Sequence, residues 1–244
     1  YTTLFRSYYD TANSNRLNLV NRLKAIPEIS MVSLCSSPPS SNSTRSGTLK
    51  YKDGKKEIET DVQQKYGDTN YIKLYGIKLL AGSNLTASDT AKALLINETY
   101  SRVLGFQQPQ QAIGKYLEWG AEKLPIRGVV ADFNQRSLHE SITPLIIASG
   151  IYMERNISIA LRPQNASGTS WKTGIGKIES EFSSVYPGDD FDYHFFDEEI
   201  AKYYTAEQHV SGLLKWATGL AIFISCLGLL GLVIHSTTRR TKEI

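Results

Sequence analysis

The residues in this sequence with chemistry to offer are four histidines, two cysteines and a scatter of serines and carboxylates. Asp132, Ser137, His139 and Ser141 fall in one short stretch and supply the residue types of a hydrolytic triad. A nucleophilic serine of that kind sits on a sharp strand-to-helix turn signalled by GxSxG, and that pattern does not occur. His139, His194, His209 and His235 are widely spaced, with no HExxH and no Cys/His set at zinc spacing. Gly114-Lys115 has the look of the end of a phosphate loop. It lacks the upstream glycine and the following Ser or Thr of GxxxxGK[ST], so no nucleotide site is supported. Asp189, Asp190, Asp192, Asp197, Glu198 and Glu199 have the charge to attract calcium. They lack a DxDxDG ligand ladder, and turn formation with helix capping accounts for them better. Asn42, Asn84, Asn97, Asn156 and Asn165 each open an N-x-[ST] triplet, of which Asn97 reads as a helix cap. The residues assemble no catalytic, cofactor-binding or metal set, and a non-enzymatic role is expected.

The elements around them read as follows. Leu17, Val20, Leu23 and Ile26 form an amphipathic helix stripe with Ser14 as N-cap and Pro27 as the stop. ISMVSLCSS is a strand, and PPSSNSTRSG is a loop with no packed core available to it. TLKYKDGKKEIETDVQQKY is a hairpin turning at Asp53-Gly54. Lys50, Lys52, Lys55, Lys56, Glu57 and Glu59 make its solvated face. Asp68 or Thr69 caps a short helix ended by Gly76, and a strand then runs to Gly82. KALLIN is a buried strand leading to Asn97 and a helix closed by Gly105. QQPQQAIGKYLEWG is a linker into LPIRGVVADF, read as a strand pair. Strands at PLIIASG and ISIALRP, a helix at TSWKTGIGKIESEFSSVYP and a strand at FDYHFF complete this part. The strand–helix–strand order predicts split βαβ units and an α+β fold, with no internal repeat.

A last helix is expected from Asp197, with Ile200, Tyr203, Tyr204, Val210 and Leu214 on one face. It passes without proline into residues 216–234, which carry no charge. At about 1.5 Å per residue this segment spans roughly 28 Å, the thickness of bilayer hydrocarbon, and the whole rod from 197 to 234 roughly 55 Å. Trp216 suits the interface, and Arg239, Arg240 and Lys242 just beyond the span favour the cytoplasmic side. Ala217, Ala221, Ser225, Gly228 and Gly231 at three- and four-residue steps suit close approach of another helix. The net charge of +3 owes much to the terminal tail, so no nucleic-acid footprint is expected. Cys35 and Cys226 fall on opposite sides of the membrane border, which excludes a mutual disulfide. Tyr1 opens on a polar stretch without an export signal, so an upstream transmembrane helix is expected before it.

Several blocks in sequence carry a family resemblance. YIKLYGIKLLAGSNL, ALLINETYSRVLGF, IGKYL and IRGVVADFNQRSLHESITPLII together resemble the extracytoplasmic domain of MacB/FtsX-type ABC transporter permeases. FFDEEIAKYYTAEQHVSGLLKWATGLAIFISCLGLLGLV followed by RRTKEI resembles the entry into their membrane domain. The resemblance implies a two-lobed extracytoplasmic domain followed by one transmembrane helix, the second of four. A porter-like split βαβ lobe would comprise residues 1–60 and 151–205, and an inserted Sabin-like α/β lobe residues 61–150. Residues 206–235 would be stalk end and membrane helix, and 236–244 the start of a cytoplasmic loop. It further implies an inner-membrane location with residues 1 to about 210 periplasmic, and homo- or heterodimers. An ABC ATPase subunit or domain would be a partner, alongside a periplasmic adaptor or outer-membrane channel. Relatives extrude toxins or peptides, extract lipoproteins or control cell-wall hydrolases. The chain carries no Walker motif, so ATP hydrolysis would reside elsewhere. The alternatives are the ligand-sensing ectodomain of a membrane receptor and a membrane-anchored hydrolase.

Overall fold

Two strands with the same composition rule explain the first sheet. In ISMVSLC, Val32 and Leu34 alternate with Ser33 and Cys35; in NISIAL, Ile157, Ile159 and Leu161 alternate with Asn156, Ser158 and Ala160. Successive strand side chains point to opposite faces, so each strand has one bulky apolar face and one of small, mostly polar groups. The computed structural model describes residues 3–7, 13–41, 45–54, 56–135, 140–164 and 168–240. Its strands are β1 (Thr3–Ser7), β2 (Ile29–Cys35), β3 (Arg45–Asp53), β4 (Lys56–Tyr66), β5 (Leu79–Gly82), β6 (Leu94–Asn97), β7 (Tyr116–Trp119), β8 (Glu122–Val130), β9 (Leu145–Ala148), β10 (Asn156–Leu161) and β11 (His194–Phe195). Its helices are α1 (Asn13–Lys24), α2 (Tyr71–Leu74), α3 (Glu98–Val103), α4 (Ser170–Val185) and α5 (Phe196–Arg240), with a 3₁₀ turn at Pro109–Ala112.

The first sheet has the order β11-β1-β10-β2. β10 is antiparallel to both β1 and β2, and β1 is antiparallel to β11. Strands β1 and β2 are therefore parallel about β10, and β10 and β11 are parallel about β1: two interlocked split βαβ units, the ferredoxin-like arrangement. The expected split βαβ pattern is present. Helices α1 and α4 cover the bulky face, where Leu19, Val20, Leu23, Val32, Leu34, Ile157, Ile159, Ile178 and Phe182 form one core. Val20, Leu23 and Ile26 of the expected α1 stripe are buried, and only Leu17 departs from it. Arg16 and Leu19 are buried in its place while Leu17 is 39% exposed, and Ser14 lies inside the helix, which begins at Asn13, rather than capping it.

The second sheet, inserted between β2 and β10, has the order β5-β8-β6-β9-β4-β3-β7, and β7 also pairs with β8. Six strands thus close into a ring, with β5 on the rest of the β8 edge. Closure satisfies backbone groups that an open edge would leave unpaired. The interior holds Leu49, Tyr51, Val62, Leu94, Ile96, Leu117, Leu124, Ile126 and Ile146. The hairpin of β3 and β4 lies whole in this sheet, whereas the expected boundary at residue 60 would cut it. Its polar face carries cross-strand pairs, Lys50 with Glu59 at 3.4 Å and Lys52 with Glu118 at 3.0 Å, as a solvated strand face should. Lys55 lies outside the described residues.

Other expectations shift locally. The segment read as a linker holds β7, and LPIRGVV is one strand, β8. The strand expected over FDYHFF shortens to His194–Phe195. Helix α2 has Asn70 as its N-cap, with Asp68 Oδ1 accepting the Asn70 N–H at 2.9 Å; Gly76, at φ +66, ends the turn as expected. Residues 37–39 of the expected open loop are buried, because they pack over β4, while 42–44 lie outside the described residues.

Residues Tyr1–Ile200 form one compact unit and Ala201–Ile244 another. In the second, Leu214–Val233 is a 20-residue stretch of mean hydropathy 2.1 with none of it buried, long and apolar enough to cross a membrane. Thr218 Oγ1 and Ser225 Oγ donate to the carbonyls of Leu214 and Ala221, at 2.8 and 2.9 Å. Those bonds satisfy the two hydroxyls within the helix, as a lipid surrounding requires.

Candidate functional site

The small-residue face of the first sheet is closed by the insert rather than by a helix layer. Asp68, just after β4, accepts from Ser33 Oγ at 2.6 Å and from the Leu34 N–H at 3.0 Å. Asn70 Nδ2 donates to the Val32 carbonyl at 2.9 Å. Tyr75 OH lies 2.7 Å from Ser158 Oγ, which is 3.3 Å from Cys35 Sγ. On the outer face of β4, Lys65 is fully buried and donates to Ser37 Oγ and the Pro38 carbonyl, both at 3.0 Å; Tyr71 OH donates to the Ser37 carbonyl at 3.1 Å. Asn156 Nδ2 donates to the Ser36 carbonyl. Beside this seam an apolar cluster of Tyr71, Ile72, Leu95, Val130, Leu145 and Ile147 includes Cys35 of the first sheet. A buried polar layer of this kind fixes register between two sheets more than it adds net stability.

Its electrostatics are those of a dry place. Burial pushes the Cys35 thiol up to about 12, so it is neutral and a poor nucleophile. Burial likewise holds the Tyr71 and Tyr75 hydroxyls well above the ordinary phenol range. Glu154, 4% exposed, is pushed up to about 7, first by burial and further by Asp68; bonds from the Gly150 N–H (2.8 Å) and Ser149 Oγ (3.2 Å) act the other way. Arg16 Nη2 donates to the Ile151 carbonyl in the same turn, at 2.7 Å. Between pH 4.5 and 7 the folded state therefore binds more protons here than the unfolded state, and stability falls as pH rises through that window. The change from this group is on the order of 3 kcal/mol. Glu154→Gln is expected to flatten that slope in melts of the detergent-solubilised chain taken from pH 4.5 to 7.5; an unchanged slope would remove Glu154 as its source.

The residues singled out by type go elsewhere. Asp132 caps α3, accepting from the Thr99 N–H at 2.9 Å and Thr99 Oγ1 at 2.7 Å. Ser137 and His139 lie outside the described residues, and Ser141 is exposed. Asn97 is the α3 cap as expected, accepting from the Tyr100 N–H at 3.1 Å. Asn84 donates to the Thr69 carbonyl at 2.7 Å, while Asn42 and Asn165 are outside the described residues. Lys115 pairs with Asp53 at 3.7 Å, and Asp192 lies 3.5 Å from His194 Nε2. Among the described residues no three His, Cys, Asp or Glu side chains gather as metal ligands. Sequence reasoning missed Lys65, Asp68 and Glu154. Lys65 lies on the same face of β4 as Glu57 and Glu59, so nothing local set it apart from a solvated strand residue.

A split βαβ sheet interrupted by a closed sheet, followed by a helix long and apolar enough to cross a membrane, defines an α+β domain. The chain has the fold of the extracytoplasmic domains of MacB-type ABC transporter permeases. It superposes on the periplasmic region of MacB from Actinobacillus actinomycetemcomitans with TM-score 0.54 and 15% identity, covering 86% of this chain and 92% of that one. The extracellular domain of the noncanonic ABC-type transporter YknZ from Gram-positive bacteria matches with TM-score 0.51 and 12% identity, over 80% and 100% of the two chains. A domain of a permease-type protein from Porphyromonas gingivalis matches with TM-score 0.50 and 14% identity, over 80% and 87%. At these identities the likeness is one of fold. No family model and no curated protein matches the sequence.

Proposed function

We propose that this chain is the non-catalytic extracytoplasmic domain of an ABC transporter permease, passing ATP-driven motion across the inner membrane. The observation that supports this is the fold shared over 80–86% of the chain with the periplasmic region of MacB and the extracellular domain of YknZ. In this reading the first sheet with α1 and α4 is the porter-like lobe, and the closed sheet is the Sabin-like insert. Leu214–Val233 crosses the bilayer, and Arg239, Arg240 and Lys242 hold the C-terminus in the cytoplasm by the positive-inside bias. Residues 1 to about 210 are then periplasmic. ATP is hydrolysed on a separate or fused nucleotide-binding domain, and permeases pair as homo- or heterodimers. The external task is efflux, lipoprotein extraction or control of an outside partner, with an adaptor or outer-membrane channel as a further contact.

Cysteine labelling in intact spheroplasts tests the reading. In a Cys226→Ala background, Tyr116→Cys (Tyr116 is 57% exposed) is expected to react with a membrane-impermeant maleimide. Lys242→Cys is expected to react only after permeabilisation, and an ABC ATPase is expected to co-purify. Labelling of Lys242→Cys from outside would overturn the topology and the coupling with it.

A further inference from the structure

Where the last residue of β4, the end of β7 and the start of β8 meet the turn after β9, the described residues enclose a cleft of about 310 Å³. Tyr66, Trp119, Tyr152 and Met153 supply its apolar wall, and Asp89 and Glu122 its acidic part. The Tyr66 and Trp119 rings are 6.2 Å apart and tilted by 35°, and Tyr152 is 64% exposed, so aromatic surface lines the opening. Asp89 and Glu122 are exposed, and neither has an ion-pair partner among the described residues. Arg45 stands close by, its Nη1 3.5 Å from Met153 Sδ. Tyr66 also touches the polar seam, through backbone bonds with Ser36, while its ring faces the cleft.

We propose that this cleft binds a small organic cation, a protonated or quaternary amine on an aromatic or branched aliphatic body. Its volume is at the lower end of ligand pockets, which run about 300–1,000 Å³. Aromatic faces carry negative quadrupole charge and attract a cation placed over them, most strongly where Trp contributes. The two carboxylates add attraction of the same sign, and the thioether and ring surfaces take the apolar body. An anion of equal size meets repulsion from Asp89 and Glu122, and a neutral body gains nothing from them. The inference uses the cleft alone and does not depend on the transport reading.

The test uses the full chain in lipid nanodiscs, with empty nanodiscs as background. Benzyltrimethylammonium is titrated by calorimetry against phenylmethanesulfonate, a probe of similar shape and opposite charge. Saturable binding of the cation and none of the anion is expected. The double substitution Asp89→Asn/Glu122→Gln, isosteric and at exposed positions, should weaken the cation roughly tenfold. Arg45→Gln should tighten it by removing a nearby guanidinium, and Trp119→Phe should retain more affinity than Trp119→Leu. Absence of saturable cation binding, equal binding of the two probes, or an affinity unmoved by the double substitution overturns the proposal.

Discussion

A six-residue Gly/Ser segment inserted beside His209 is expected to abolish transport and leave ATP hydrolysis intact. Helix α5 runs from Phe196 to Arg240 without a proline, so on the transport reading it carries movement of the membrane segment to the lobes outside. An α-helix keeps its length because each turn is hydrogen-bonded to the next, and about 1.5 Å of rise per residue is held under load. A Gly/Ser segment behaves instead as a coil whose ends sit about 5–6 Å times the square root of its length apart and fluctuate freely. A displacement of a few ångströms at one end is then absorbed in the coil. The ATPase contact, placed on the cytoplasmic side, is untouched, so hydrolysis runs uncoupled. A seven-residue Ala/Glu/Lys insert, close to two helical turns, is the matched control and should keep a substantial part of transport. Full transport with the Gly/Ser insert would mean that motion reaches the outside by another route.

What could be read in the sequence follows the range of the interactions involved. Much of the split βαβ sheet was legible, because β2, β10, α1 and α4 each carry a local strand or helix pattern, whereas β1 was not read at all. The span was legible because composition alone sets it. Asn97 was legible as a cap because its capping bond, from the Tyr100 N–H, is local, although its amide also bonds Leu145 and Thr143 far along the chain. The insert boundary was not, since the β3–β4 hairpin looks alike whichever sheet it joins, and only pairing with β9 and β7 assigns it. The α1 stripe departs from expectation only at Leu17, because Leu17 and Leu19 both fit a helical period, and burial of Arg16 against the Ile151 carbonyl, 135 residues away, selects the face. The seam had no local signature at all. Lys65 reads as a solvated strand residue until residues 37–39 fold over it, and Asp68 reads as a helix cap until β2 arrives beside it. The cleft draws on residues from Tyr66 to Met153, a span no motif covers.

Phe182→Ala is expected to destabilise both sheets together, and the reason lies in the seam. Phe182 is 1% exposed and packs its ring 5.2 Å from Tyr186 and 5.6 Å from Phe191, under the α4 side of the first sheet. Truncating a buried phenylalanine costs about 3–5 kcal/mol, a large part of a total stability of about 5–15 kcal/mol. For a unit of this size that corresponds to a fall in Tm of roughly 6–20 °C. Loss confined to the first sheet would leave its partner standing. Yet the cluster of Cys35, Tyr71, Leu95, Leu145 and Ile147 draws on both sheets, and Asp68 and Asn70 bind the backbone of β2 directly. Opening the first sheet therefore exposes apolar surface on the outer face of β6 and β9 and strips the partners from Asp68, so the closed sheet loses stability at the same step. Two tryptophans report separately: Trp171 packs against the Phe182 core, and Trp119 against the interior of the ring. With Trp216 and one of these two replaced by Phe, each remaining indole follows its own sheet. Coincident melting curves, displaced equally by Phe182→Ala, are expected. Displacement of the Trp171 curve alone would show that the sheets unfold independently and that the polar seam sets their register without joining their fates.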